Sequence, residues 1–163
     1  MKRLKSKFLT SVTTLLMIIG CDKKEVYMNE IEIQFDKGVM LFTHHSKYFN
    51  GLVIERFDNN QIKLKIEVID GLKSGNVIQY YQGGVIQTIS KFKKGKINGE
   101  FKSFYSDGSI HQVTNFSNDV RSGSFEEFHR NGSFKSCSNY YLGIKVGKSY
   151  DFFKSGGVAV YNN

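Results

Sequence analysis

The chain has 163 residues, 40% of them hydrophobic and 14% aromatic, and its 23 Lys and Arg against 15 Asp and Glu give a formal net charge of +8. This length fits one domain, and this share of core-forming residues excludes intrinsic disorder. The absence of proline and tryptophan and the presence of only two cysteines exclude polyproline ligands, collagen-like repeats and a disulfide-dense scaffold.

Residues 1–20 are predicted to be a signal peptide. Four basic residues within the first seven precede an apolar run from Phe8 to Gly20, which is the charged region and hydrophobic region of an exported chain. The run is shorter than the about 20 residues that a membrane-spanning helix needs. Without residues 1–20 the net charge falls from +8 to +4, so the main support for a nucleic-acid partner is lost.

The end of the signal resembles the lipobox of bacterial lipoproteins, in the residues Ile18-Ile19-Gly20-Cys21. The resemblance implies that the signal is removed before Cys21 and that Cys21 carries a diacylglycerol thioether. It places the protein in a bacterial cell envelope, held by lipid on the outer membrane or the periplasmic face if the cell is Gram-negative. Each buried CH₂ of an acyl chain contributes about 0.8 kcal/mol to such anchoring. The alternative is an ordinary secretory signal that ends in cysteine.

The next segment divides into a tether and a cap. Residues 21–29 are mostly polar and are predicted to tether the lipid to the folded domain. Residues 30–50 are predicted to form an N-terminal β-hairpin that caps the array behind it. Apolar residues alternate from Ile31 to Phe35, Asp36-Lys37-Gly38 can turn, and Val39 to Phe42 can return.

From residue 51 onward, small residues that favour turns recur every 24 positions. The first set is Gly51, Gly75, Gly99, Gly123 and Gly147. The second set lies nine positions later and is Asn60, Gly84, Gly108, Gly132 and Gly156. The third set is Gly71, Gly95, Asp119 and Gly143. Residues 51–163 are therefore predicted to be a repeat domain of four full units and a partial fifth.

Each unit is predicted to be a β-hairpin. Ile62, Leu64 and Ile66 alternate with charged residues, which is the period of a strand with two different faces. Pairs such as Asn59-Asn60 and Asp107-Gly108 favour two-residue type I′ turns, so the first two sets are predicted to be structural turn residues. The fold class is predicted to be all-β, a repetitive meander of antiparallel hairpins in an elongated twisted sheet.

The unit resembles the MORN repeat, and more closely its bacterial variant, as in residues 99–110, GEFKSFYSDGSI. The resemblance covers residues 51–163 and implies the fold rather than an activity. Bacterial members are often envelope lipoproteins or are catalogued as antitoxin-like. Two residues depart from the pattern, Arg56 in an aromatic position and Asp119 in a glycine position.

The repeated aromatic residues are interpreted as the stacked core rather than as a binding stripe, because aromatic cross-strand pairs stabilise sheets. Tyr81 and Tyr105 could still present hydroxyls at an interface. The last strand, Val158 to Tyr161, is predicted to be an exposed edge to which a partner could add a strand.

No metal, cofactor or catalytic group is predicted. His44 and His45 are adjacent but lack nearby ligands in the sequence, and Cys137 is interpreted as a small buried hydrophobe. The densest basic cluster consists of Lys91, Lys93, Lys94 and Lys96. It is interpreted as a solvated turn, with attraction to anionic headgroups as the alternative.

The predicted function is that of a non-enzymatic protein, anchored to a membrane through its N-terminal lipid, that serves as a protein-binding or scaffolding module. Its partner is a protein of unknown identity and not a nucleic acid. The alternative, which the family resemblance implies, is an antitoxin-like or immunity protein that neutralises a partner protein. An enzyme would need polar groups that converge in a cleft, and a flat meander offers few clefts.

Overall fold

The computed structural model describes residues 23–162. Within that range the chain forms fourteen strands and one 3₁₀ turn, Met28–Glu30. The strands in chain order are β1 (Glu25–Tyr27), β2 (Glu32–Asp36), β3 (Val39–His44), β4 (Lys47–Tyr48), β5 (Gly51–Arg56), β6 (Ile62–Ile69), β7 (Leu72–Tyr80), β8 (Ile86–Lys93), β9 (Lys96–Phe104), β10 (Ile110–Ser117), β11 (Val120–Phe128), β12 (Phe134–Tyr141), β13 (Ile144–Phe152) and β14 (Val158–Asn162).

Eleven of these strands form one open sheet, in the order β1, β5 and then each strand in turn to β14. From β5 onward each strand pairs antiparallel with the next strand along the chain, whereas β1 pairs parallel with β5. Strands β2, β3 and β4 form a small second sheet. The predicted all-β fold, a meander of antiparallel hairpins, is confirmed.

The second set of repeated residues lies in turns, but the predicted turn type is wrong. In the first unit the Phe57 N–H donates to the Gln61 carbonyl and the Asn60 N–H to the Phe57 carbonyl, both at 2.9 Å. Asn60 has φ +66° while Asn59 is not left-handed. These are the bonds of a three-residue loop, in which one left-handed residue follows a turn. The same two bonds recur in the other four units.

The two-residue type I′ turns lie instead at the third set. Asp70 and Gly71 both have positive φ, +51° and +74°, and the flanking residues Ile69 and Leu72 are paired. The same geometry recurs at Lys94-Gly95, Asn118-Asp119 and Leu142-Gly143. A type I′ turn needs φ above zero at both central residues. The third set meets this requirement, and it lies at the opposite end of the strands from the second set, where these turns were predicted.

The first set is not in turns. Gly75, Gly99, Gly123 and Gly147 lie inside β7, β9, β11 and β13, and Gly51 opens β5. In β7 the register shifts so that the three residues centred on Gly75 lie opposite the single residue Glu67. Gly75 has φ +108°. This is a β-bulge, in which glycine supplies the backbone conformation that the extra residues require.

Residues 25–27, predicted as part of the tether, belong to the main sheet. Val26 of β1 is only 6% exposed, and the Leu52 N–H donates to the Lys24 carbonyl at 2.8 Å. Burial of an apolar side chain and a strand hydrogen bond together stabilise the contact of this mostly polar stretch with β5. Residue 163 and residues 1–22, including Cys21, lie outside the described residues.

The small sheet covers the first unit of the array. In residues 23–162 the buried apolar cluster consists of Val26, Ile31, Phe42, Phe49, Val53, Ile66 and Val68. The Phe42 N–H donates to the Gly71 carbonyl at 2.8 Å, and the Gly71 N–H donates to the Phe49 carbonyl at 2.9 Å. We call this cluster the N-terminal core. Each fully buried apolar side chain contributes about 1.5 to 3 kcal/mol, so this end of the sheet is the best stabilised.

The units after the first form a single layer, and the buried position at their centre holds a different type of residue. The position of Ile66 is taken in successive units by Ser90, Thr114 and Ser138, all buried. Aromatic rings contact each other between neighbouring strands, as in Phe101 with Phe116 and Phe125 with Tyr140, with centroids 6.3 and 6.2 Å apart. These rings are half-buried, so they stabilise the sheet without forming an enclosed core.

Candidate functional site

The hydroxyls of Tyr81 and Tyr105 are used inside the array. Tyr81 donates to the Phe104 carbonyl and Tyr105 to the Phe128 carbonyl, each at 2.9 Å. In the next unit His129 Nε2 lies 3.3 Å from the Phe152 carbonyl oxygen. Each of these rings therefore joins its own loop to the following unit, and the two tyrosines do not offer free hydroxyls at an interface.

One row of side chains resembles a nucleophile, base and acid in order. Ser103 Oγ lies 3.4 Å from His111 Nδ1, and His111 Nε2 lies 3.4 Å from Glu127 Oε1. Ser103 is the second-last residue of β9 and is paired on both sides, with Gln112 and with Thr88. Its backbone N–H lies in the sheet ladder and does not point to a position where an oxyanion could sit.

Glu127 is held by a lysine as well as by His111. Lys135 Nζ lies 2.6 Å from Glu127 Oε1. Partial burial opposes ionisation of Glu127, but the hydrogen bond from Lys135 and the charges of Lys135 and His111 outweigh it and lower the pKa of Glu127. The row is therefore a chain of polar cross-strand contacts that stabilises the sheet.

The other candidate groups are the pair His44 and His45 and the thiol of Cys137, which lie on different parts of the fold. His44 and His45 have ring centroids 4.1 Å apart, and His44 Nδ1 lies 3.4 Å from Lys24 Nζ. Desolvation and the nearby charges of His45 and Lys24 lower the pKa of His44. Cys137 is a free thiol that is half-buried rather than buried. Among residues 23–162 there is no group of three or more His, Cys, Asp or Glu side chains placed to hold a metal ion.

The feature best suited to recognition is strand β14. It pairs with β13 on one side, and within the described residues its other side has no neighbouring strand. The Phe153 N–H donates to the Gly157 carbonyl at 2.8 Å. Because hydrogen-bonded pairs alternate along antiparallel strands, Ala159 and Tyr161 bond to β13, and the backbone groups of Val158 and Val160 point outward.

The side chains of β14 are also accessible. Val158, Val160 and Tyr161 are each about half exposed. An open groove of about 920 Å³ lies next to the start of β14, between the loops around residues 129–133 and 153–157. Its apolar wall includes Phe134 and Phe153, and Arg130 and Lys154 are at its rim. The sequence predicted the edge but not this groove. The signal that could have revealed it is the presence of aromatic residues, Phe134 and Phe153, next to two successive loops.

The two outer strands of the main sheet differ. β1 has three residues, begins with Glu25 and is preceded by Lys23 and Lys24. A short, charged edge strand resists pairing with another chain. β14 has no charged residue from Val158 to Asn162, so it lacks this protection.

The comparisons with known proteins add little. No family model matches the chain, and no curated protein matches it. A solved structure described as "Crystal structure of GtfA/B complex bound to UDP and GlcNAc" is similar over 88% of this chain and 27% of that chain, at 12% identity and a TM-score of 0.29. The chain thus spans about a quarter of that protein's length. At this TM-score the likeness carries no argument about fold or function.

Proposed function

We propose that this chain is a non-enzymatic, lipid-anchored repeat protein of a bacterial envelope that binds a partner protein along strand β14. The observation that carries the proposal is an uncharged outer strand whose outward backbone groups, at Val158 and Val160, are unpaired within the described residues. A partner that adds a strand there gains main-chain hydrogen bonds, and its alternate side chains supply specificity.

The groove beside β14 extends the proposed site. Phe134 is 48% and Phe153 56% exposed, so an apolar side chain of the partner would remove both from water. The basic residues Arg130 and Lys154 favour an acidic or polar group of the partner at the rim. Arg130 is itself paired with Asp107 at 2.7 Å, which leaves Lys154 as the more available cation.

The anchor part of the proposal is supported by the lipobox-like residues Ile18 to Cys21 and by the basic and apolar run before them. Among residues 23–162 there is no helix long and apolar enough to cross a membrane. Mass spectrometry of protein extracted from membranes is expected to find diacylglycerol on Cys21. Membrane attachment that persists unchanged in Cys21→Ala would contradict the anchor.

The binding site is tested by photo-cross-linking in intact cells. A photoreactive residue at Val158 is expected to give a discrete cross-linked protein, and one at Ile33, a similarly exposed residue on β2, is expected to give none. Val160→Pro is the matched blocking variant, because it removes an N–H that points outward and leaves the bonds to β13 intact.

The expected result is that Val160→Pro abolishes the cross-link at Val158 while the far-UV circular dichroism spectrum is unchanged. A cross-link that survives Val160→Pro, or that also forms at Ile33, would show that β14 is not the docking strand. If the captured protein is toxic alone and inactive in the complex, the antitoxin-like alternative is the form that this binding takes.

A further inference from the structure

The four type I′ turns of the repeat domain form a row along one end of the sheet. Successive turns are linked by backbone hydrogen bonds, since the Gly95 N–H donates to Lys73, Asp119 to Ile97 and Gly143 to Arg121, each at 2.9 Å. The four turn segments, in order, read IDGL (69–72), KKGK (93–96), SNDV (117–120) and YLGI (141–144). The last segment, which we call the apolar turn, has no charged or polar residue apart from the tyrosine hydroxyl.

Leu142 occupies a position that disfavours leucine. Its φ is +49°, in the left-handed region that side chains other than glycine and asparagine adopt with strain. The equivalent residues in the other turns are Asp70, Lys94 and Asn118. Leu142 is 68% exposed, so burial within its own fold does not compensate for the strain.

The apolar turn is the tip of a larger patch. Tyr141 and Ile144 form a cross-strand pair and are 65% and 69% exposed. Val120 of the preceding turn lies against Gly143, where an added Cβ would be 3.3 Å from the Val120 Cγ1. A soluble protein seldom exposes neighbouring apolar residues in this way without a surface that receives them.

The charges around the row are mainly basic. Lys93, Lys94 and Lys96 surround the second turn, and Lys145 follows the apolar turn, all of them exposed. The acidic residues of the row are Asp70 and Asp119, and the Asp119 carboxylate accepts a hydrogen bond from the Ile97 N–H at 2.7 Å. Lysines beside an exposed tyrosine and aliphatic residues match the interface of an anionic bilayer.

The row also begins beside the N-terminal end of the described chain. β1 runs parallel to β5, and Glu25 is paired with Leu52, next to the start of β5. The start of β5 and the type I′ turns lie at the same end of the strands, because Gly51 is paired with Val68 just before the first of these turns. Lys23, the first described residue, is two residues after Cys21.

We infer that the apolar turn inserts Leu142 into the boundary between headgroups and acyl chains of an anionic bilayer, as a second membrane contact of the same molecule. Tyr141 and Ile144 lie at headgroup level, and the lysines of the row face the phosphates. The nearness of the bilayer rests on the proposed lipid anchor at Cys21. A second contact would fix the orientation of the sheet, which a lipid alone leaves free.

The test uses tryptophan fluorescence, because the chain contains no tryptophan of its own. Leu142→Trp is extracted from membranes and reconstituted in phosphatidylethanolamine–phosphatidylglycerol vesicles with brominated acyl chains. Phe153→Trp is the matched control, since Phe153 is similarly exposed in a loop at the opposite end of the strands. Tyr141→Trp is a second reporter at a position without left-handed backbone.

We expect both reporters in the apolar turn to emit at shorter wavelength on vesicles than in solution, to be quenched by the brominated lipid and to lose quenching by iodide. For Phe153→Trp we expect no change in emission wavelength, no quenching by the brominated lipid and full quenching by iodide. Vesicle-bound protein in which iodide quenches all three variants equally would overturn the inference alone. Protection from iodide without quenching by brominated lipid would assign the turn to a contact with a second copy of the chain and would also overturn the inference. Protein that does not float with the vesicles would overturn the anchor, and this contact with it.

Discussion

The backbone conformation of Leu142 disfavours leucine, so we attribute this residue to a surface interaction rather than to the stability of the fold. Its left-handed conformation, φ +49°, is one that asparagine adopts readily. Leu142→Asn is therefore expected to stabilise the purified protein by about 1 kcal/mol, measured by urea unfolding. The variant Asn118→Leu, at the equivalent position, is expected to destabilise it by at least this amount, because it also removes the hydrogen bond that Asn118 Oδ1 accepts from Asn98. A loss of stability in Leu142→Asn would show that the leucine serves the fold.

The glycines of the first set differ in how much an added methyl group would lower the stability of the protein. At Gly75, with φ +108°, an added Cβ would meet the Glu67 carboxylate, which bonds to Lys23 and to the Asn76 N–H. At Gly147, with φ +70°, no atom lies within 4 Å. Gly75→Ala is expected to cost about 2 to 3 kcal/mol and Gly147→Ala about 1 kcal/mol. Equal losses in thermal unfolding would contradict the assignment of Gly75 to a crowded bulge.

Asp107 is predicted to make part of the stability sensitive to acid. Hydrogen bonds from the Ser109 hydroxyl and N–H, and then the Arg130 guanidinium, lower the pKa of Asp107 from 3.8 to about 2. A carboxyl whose pKa is lowered by folding stabilises the protein above its ordinary pKa, and this contribution is lost as the pH falls towards 2.

The matched variant is Asp107→Asn, because Asn131 in the next unit makes the same two bonds to Ser133. Between pH 4 and pH 2 the wild type is expected to lose more stability than Asp107→Asn, measured by urea unfolding at each pH. Identical slopes for the two proteins would show that the carboxylate contributes nothing in this window.

At the scale of the element, the hairpins are joined by side chains as well as by strands. The hydroxyl of Tyr105 donates to the Phe128 carbonyl of the following unit at 2.9 Å. Tyr105→Phe is expected to cost about 1 kcal/mol, because it removes one hydrogen bond and leaves a carbonyl without that donor. Tyr141→Phe is the control, since Tyr141 is largely exposed, and it should be neutral. Circular dichroism during thermal unfolding measures both, and equal effects would refute the role of the Tyr105 hydroxyl.

The strands could be predicted from the sequence, but the turn types could not. Alternation around Ile62 to Val68 and the 24-residue period suffice to predict a hairpin meander, which the structure has. Pairs such as Asp107-Gly108 suit a type I′ turn locally, but the register of the flanking strands leaves room for a third loop residue. Turn type depends on which residues are paired across the strands, and a dipeptide does not determine that.

The candidate site could be predicted only in part. The repeat pattern predicts that each unit pairs with the next, and within the described residues the strand at Val158 to Tyr161 has no further neighbour. The groove between Phe134 and Phe153 depends on side-chain packing of two loops, which sequence does not reveal. The bulges explain the glycines of the first set from Gly75 onward, and the register shifts that produce them could not be located from the sequence.

At the scale of the whole molecule, the two ends of the sheet are built differently. The N-terminal core encloses β5 and β6 beneath the small sheet, whereas the last strands form a single layer with exposed apolar side chains. Opening of the sheet is therefore expected to begin at β14, because its side chains are mostly exposed and no second layer covers them. The end that has no second layer, and whose outer strand has no further neighbour within the described residues, is also the end that gains most from a partner strand.

The central claim, that β14 is completed by a partner protein, is tested most directly by amide hydrogen exchange of the intact chain with and without the cross-linked partner. The outward N–H groups of Val158 and Val160 are expected to exchange rapidly in the isolated protein and slowly in the complex. Exchange in the N-terminal core, for example at Val53, should be unchanged. Rapid exchange at Val158 and Val160 in both states would contradict the account.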